Sequence, residues 1–181
     1  MIEFDAVVAA PERLALRLQV DADGAIHAGI AWGVGIKLAG DLLTEMVYVP
    51  ASVKPQAAAR PLAKKVVQQL KAYFKDPSAT FDLPLKPLGT AHQQKVWQVI
   101  RAIPVGNLLS YGEVAKMVQS APRAVGQACG ANWFPLVIPC HRVVAAGQRG
   151  YALGGFSHHD DEDGFHLQIK RALLAHEGVT L

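Results

Sequence analysis

The chain has 181 residues, 51% of them apolar, enough for one full-sized domain or for a small domain beside a second of about 90 residues. No apolar run approaches the roughly 20 residues of a membrane span, and no basic leader precedes an apolar stretch. Two cysteines, Cys129 and Cys140, are too few for a disulfide framework, and a net charge of +3 selects no partner by itself, so the chain reads as a soluble, cytoplasmic protein.

In chain order, residues 13–33, "RLALRLQVDADGAIHAGIAWG", alternate apolar and polar around Asp23-Gly24, as a hairpin in a small sheet does. In "AARPLAKKVVQQLKAYFKD", Leu62, Val66, Val67, Leu70 and Phe74 recur at helical spacing until Asp76-Pro77 stops the pattern. Pro77, Pro84, Pro87 and Gly89 mark a connecting arm, and the chain is expected to divide there, into 1–85 and 86–181. The expected fold is α+β, a small N-terminal sheet-and-helix domain followed by a mainly helical one.

Thr90 with Gln93 three residues on reads as a capping box, opening a helix with Val96, Trp97, Val99, Ile100 and Ile103 on its buried side. "IPVGNLLSYG" breaks it. "GEVAKMVQ" and "RAVGQACGA" then form two short helices around Ser120-Ala121-Pro122, the sequence form of a helix-turn-helix. Ala124, Gly126, Ala128, Gly130 and Ala131 leave much of the second helix bare, open to close approach by a neighbouring helix or a nucleic acid backbone. Between residues 95 and 149 the cations Lys95, Arg101, Lys116, Arg123, Arg142 and Arg149 face only Glu113, and the acidic "HHDDEDG" follows. That charge pattern fits a polyanion-binding face and an ordinary solvated surface equally well.

The segment "LVIPCHRVVAAG" places Cys140 between Pro139 and the pair His141-Arg142. Zinc needs about four N or S ligands, and no Cys-x-x-Cys spacing supplies them, so no metal is expected. Thiol, imidazole and guanidinium in sequence make a field that favours thiolate, whereas the preceding apolar run suits an inert buried cysteine. The local residues leave both readings open.

From Leu88 to Gly178 the chain resembles the O6-alkylguanine-DNA alkyltransferase family, also called methylated-DNA–protein-cysteine methyltransferase. The resemblance runs through "GTAHQQKVW", "IPVGNLLSYGEVA", "PRAVGQA", "NWFPLVIPCHRVV" and "IKRALLAHEG", in order. It implies a ribonuclease-H-like N-terminal domain and a C-terminal helix-turn-helix domain that moves the O6-alkyl group of guanine onto Cys140 once only. His141 would take the thiol proton through a water, Glu177 would orient the imidazole, and Tyr111 would donate to guanine N3. The backbone around Cys140 and Val143 would read the exocyclic amine, distinguishing guanine from adenine. Arg123 and Ala124 would enter the minor groove, Arg123 filling the space of the flipped base, and Asn132 would fasten the helix to the cysteine loop. The implied partner is double-stranded DNA containing O6-alkylguanine, with the protein a monomer that needs no cofactor. A non-catalytic binder of alkylated DNA with this fold, or a helix-turn-helix regulator with a sensor cysteine, are the alternatives. The chain departs from the family pattern at His92, at Trp133, at Gly130 and in an acidic insertion after Gly155, where Phe156 and Ser157 are candidate donors to O6. Arg142 is expected to pair with a core carboxylate rather than touch substrate.

Overall fold

The computed structural model describes residues 3–12, 14, 19–20, 26–27, 31–147, 150–159, 161 and 164–181. The fold is mixed α and β and divides into two compact units, Met1–Lys86 and Pro87–Leu181. Among the described residues no helix is long and apolar enough to cross a membrane.

In the first unit, β1 (Ala6–Ala9), β4 (Trp32–Ala39) and β5 (Leu42–Pro50) form an antiparallel sheet in the order β1-β4-β5. Between them in sequence, β2 (Gln19–Val20) and β3 (Ile26–His27) pair antiparallel as a separate ribbon. The Asp23-Gly24 turn proposed for this hairpin lies outside the described residues. Helix α1 (Pro61–Lys75) starts on Pro61, whose missing N–H costs nothing in a first turn. It packs on β1 and β4 through Val66, Leu70 and Phe74, and Phe74 meets Trp32 edge-on at 5.8 Å. Trp32, Val34 and Ile36 share one face of β4 by strand alternation, all buried. On the opposite face Gly35 leaves room for the Phe4 ring, which a Cβ would approach to 2.5 Å. Phe4, Val7 and Val49 form a second cluster there. Both faces are therefore covered, which is why β4 and β5 lack a clean alternation in the sequence.

The second unit begins with α2 (Ala91–Arg101), opened by the Thr90–Gln93 capping box. Strand β6 (Leu109–Ser110) leads directly into α3 (Tyr111–Val118), which Ser110 and Glu113 cap reciprocally, and α4 (Pro122–Gly130) follows after three residues. Helix α2 holds both: Lys95 Nζ donates to Val118 O at 3.1 Å, His92 Nε2 bonds Ser120 Oγ at 2.8 Å, and Trp97 Nε1 donates to Ala128 O at 2.8 Å. His92 thus fixes the turn between α3 and α4 with a polar contact.

After α4 a loop, exposed at Trp133 and largely buried from Phe134 on, reaches a single 3-10 turn at Cys140–Arg142, then β7 (Val143–Gly147), β8 (Gly150–Ala152) and α5 (Phe165–His176). β7 pairs parallel with β6 (Leu109 opposite Val143, Ser110 opposite Val144) and antiparallel with β8. The sequence reading missed this small sheet, because β6 is only two residues long and gives no periodicity.

Candidate active site

The loop before Cys140 is rigid for local reasons. Ile138 N donates to Phe134 O and Cys140 N donates to Ile138 O, each at 2.8 Å, across a turn in which buried Leu136 is left-handed (φ 74°). Asn132 anchors this loop to the end of α4. Its Nδ2 donates to Ile138 O at 2.8 Å and to Cys140 Sγ at 3.2 Å, while its Oδ1 accepts from Phe134 N at 2.9 Å. One amide side chain therefore satisfies the loop and touches the sulfur.

The next two residues turn away from the sulfur toward α5. His141 Nε2 bonds Glu177 Oε1 at 2.9 Å, and Arg142 donates to the same carboxylate from Nε (2.9 Å) and Nη2 (2.8 Å). Arg142 Nη1 donates to Ile103 O at 2.6 Å. Arg142 thus pairs with a core carboxylate and contributes nothing to a basic surface. All three side chains are buried. Burial opposes ionisation of Glu177, yet the hydrogen bonds of His141 and Arg142 and the Arg142 charge outweigh it and hold the carboxyl well below its usual range. His141 is pushed down, by burial first, with Glu177 opposing and the Arg142 and Lys170 charges assisting. The imidazole is therefore neutral and able to accept a proton, and its Nδ1 is buried with no hydrogen-bond partner among the described residues.

The sequence argument that neighbouring His and Arg side chains hold Cys140 as thiolate is corrected by this geometry. The guanidinium is spent on Glu177 and the imidazole is uncharged. The thiol is pushed well above its ordinary range, by a hydrogen bond shared with Cys129 and by burial, against weaker opposing effects of Asn132 and the Lys170 charge. Resting Cys140 is a neutral thiol.

Lys170 is a site residue the sequence reading missed. It is fully buried, and its ammonium donates to Val143 O (2.8 Å), Leu153 O (2.6 Å) and Gly155 O (3.1 Å) while lying 5.8 Å from the ring centres of Tyr111 and Phe156. Burial lowers it to about 8, with the two thiols opposing. The available signal was spacing: Lys170 precedes Glu177 by seven residues, two turns on one helix face.

A cavity of about 390 Å³ opens beside these groups, walled by Tyr111, Arg123, Cys129, Gly130, Phe156 and His158 among others. Tyr111 follows β6 directly, so the β6–β7 pairing sets it near the strand that leaves Cys140. Its hydroxyl donates to Gly155 O at 2.8 Å, and burial raises its pKa. Arg123 is exposed in the first turn of α4, with half-buried Ala124 beside it. Val143 is buried, and its carbonyl, expected to read a base, is held by Lys170. Ser157 and Phe156 belong to the wall. Cys140 does not, whereas Cys129 does. Nor is the small-residue face of α4 bare throughout, because a Cβ on Gly130 would come within 2.2 Å of the His158 ring. Ala128 points inward. Among the described residues no group of three or more His, Cys, Asp or Glu side chains could hold a metal ion.

Comparison with known proteins matches this unit to a family model, "6-O-methylguanine DNA methyltransferase, DNA binding domain", over residues 91–179. The chain is 44% identical over 95 residues to a methylated-DNA–protein-cysteine methyltransferase of Methanosarcina mazei, the match covering 50% of this chain. It spans only 60% of that relative's length. A protein of the same name from Methanothermobacter thermautotrophicus is 32% identical over 161 residues, 86% of this chain and 82% of its own. Among solved structures, Mycobacterium tuberculosis OGT in complex with DNA superposes with a TM-score of 0.64 at 34% identity, covering 80% of this chain and 86% of its own.

Proposed function

The chain belongs to the methylated-DNA–protein-cysteine methyltransferase family, and on that premise we propose that it repairs DNA directly, moving the O6-alkyl group of a damaged guanine onto Cys140. The observation that carries this reading is the buried sequence of contacts around the nucleophile. Asn132 touches the sulfur, His141 is neutral with Nδ1 unpartnered among the described residues, and Glu177 holds the other ring nitrogen.

In the step itself the Cys140 proton passes through a water to His141 Nδ1, and Glu177 stabilises the imidazolium formed. The thiolate attacks the alkyl carbon in line, a C–S bond forms, the C–O6 bond breaks, and the electron pair leaves on guanine. Tyr111 exchanges Gly155 for guanine N3 and donates as charge builds on the ring. Because resting Cys140 is a neutral thiol, thiolate forms only as the transfer proceeds. The product thioether has no electrophilic carbonyl for water to attack, so each chain acts once. Bonds balance without a cofactor.

Helices α3 and α4 act as a helix-turn-helix, with α4 along the minor groove and Arg123 standing in for the extruded base. The first unit is the family's ribonuclease-H-like domain, 1–85 in the sequence reading, and 86–181 carries the chemistry. The Lys170 clamp ties the Val143, Leu153 and Gly155 carbonyls together, so the base meets a set backbone, of which the part at Val143 reads the exocyclic amine. The protein works as a cytoplasmic monomer on double-stranded DNA.

The test is stoichiometry. Duplex DNA carrying O6-methylguanine, mixed with limiting protein, should lose one lesion per chain, and Cys140→Ser should lose none while still binding the duplex. Turnover beyond one lesion per chain, or unchanged removal by Cys140→Ser, overturns the reading.

A further inference from the structure

We propose that His158 is a phosphate contact of the DNA-binding surface: the turn after Phe156 lays its imidazole on α4 over Gly130, and from there a ring N–H donates to the backbone of the duplex. This rests on the reading of α4 as the helix that meets DNA.

The turn is shaped to present this side chain. Phe156 N donates to His159 O at 2.8 Å and His159 N donates to Phe156 O at 2.9 Å, which closes a two-residue hairpin turn. Its central residues, Ser157 (φ 51°) and His158 (φ 65°), are both left-handed. Such turns favour asparagine and glycine, so serine and histidine in succession hold a conformation that their side chains rarely adopt. A Cβ on Gly130 would lie at nearly equal distances from Cε1, Nδ1 and Nε2 of His158, so the ring covers the bare helix face-on. His158 is exposed, and its ring makes no hydrogen bond among the described residues. Its neighbour His159 is engaged elsewhere, stacked on His166 of α5 at 4.1 Å.

The position on α4 points to a phosphate. Arg123, Gly126, Gln127 and Gly130 recur at helical spacing and, with His158, wall the same cavity. No carboxylate side chain is among the described residues of that wall, so nothing in it repels an anion. Arg123 and Gly130 are seven residues apart, roughly 10 Å along the helix axis, so guanidinium and imidazole reach different phosphates. A ring over a glycine also serves as an apolar cover. Phenylalanine would cover Gly130 equally well, but only the imidazole brings a donor.

Binding of the full chain to one duplex sequence, with and without O6-methylguanine, is measured by fluorescence anisotropy across a salt series. His158→Phe keeps the cover and removes the donor. It should weaken both duplexes equally, by about 5-fold, because a phosphate contact carries no base information. His158→Arg should restore affinity and steepen the dependence of log K on log salt by about 0.9 relative to His158→Phe. Gly130→Ala displaces the ring while suiting a helix, so its urea midpoint should be no lower than wild type. It should nevertheless lose as much affinity as His158→Ala, and the two substitutions together should lose no more than either. Wild-type affinity in His158→Phe, a loss confined to the lesion duplex, or a Gly130→Ala loss undiminished in the His158→Ala background would overturn the proposal. Wild-type affinity in His158→Phe alongside intact methyl transfer by the unaltered chain overturns the contact and leaves the proposed function standing. The expected losses in a chain that transfers no methyl group support the contact and refute that function instead.

Discussion

Replacing Glu177 with Gln removes the one negative charge facing two buried partners. Gln keeps the shape and one acceptor, but Arg142 retains its charge with no carboxylate against it. Removing one member of a buried ion pair costs about 3–5 kcal/mol, against a total stability of roughly 5–15 kcal/mol for a protein. A slow reaction by this variant could therefore reflect partial unfolding. The double variant Glu177→Gln/Arg142→Met separates the two effects. It removes the stranded cation and leaves the Ile103 carbonyl unsatisfied, a penalty of about 1–3 kcal/mol, so it should regain part of the lost stability in urea unfolding. It does not give His141 back its carboxylate, so single-turnover methyl transfer should stay roughly 100-fold or more below wild type. Recovery of both stability and rate in the double variant would show that Glu177 merely balances Arg142, and would refute its role toward His141. The same carboxylate gives a pH signature. Its folded pKa lies below the ordinary 4.5, so its contribution is complete above that value and drains away as pH falls below it.

Other substitutions divide the labour differently. Arg123→Ala, at an exposed position, should unfold within about 0.5 kcal/mol of wild type yet bind lesion-containing duplex roughly 10-fold more weakly in fluorescence anisotropy. Equal affinity would remove Arg123 from the DNA face. Asn132→Leu should destabilise the second unit by about 2 kcal/mol or more, by orphaning the Ile138 carbonyl and the Phe134 N–H. It should slow transfer more than it weakens duplex binding, and the opposite ranking would contradict its placement at the sulfur. Lys170 has its pKa lowered to about 8 from 10.5, so over that interval the unfolded chain binds more protons and stability rises with pH. Relative to Lys170→Met, wild type should gain up to about 3 kcal/mol between those limits; a flat difference in urea midpoints would mean the ammonium is not buried as described.

The helices were legible because their signals are local. Thr90 and Gln93 cap α2 as read, Pro122 opens α4, and Val66, Leu70 and Phe74 form the buried stripe of α1. Strands β4 and β5 were not read, since a sheet covered on both faces loses its alternation, and glycines at positions 33 and 35 give no pattern. The site was legible where a motif sits in one stretch, as at Cys140 and His141. Glu177 and Asn132 came from family resemblance, and the contacts of both with the Cys140 turn depend on chain folding over tens of residues or around a loop. The charge state of Cys140 stayed open in the sequence, because adjacency does not say where a side chain points: Arg142 turns to Glu177. The covering of Gly130 by His158 likewise joins residues far apart in the chain.

The central claim is that Cys140 is the alkyl acceptor, and peptide mass after incubation with O6-methylguanine duplex tests it most directly. One methyl group per chain, about 14 Da, should map to the peptide holding Cys140, with unmodified guanine left in the DNA. An adduct on Cys129, or lesion loss with no protein adduct, would contradict the account.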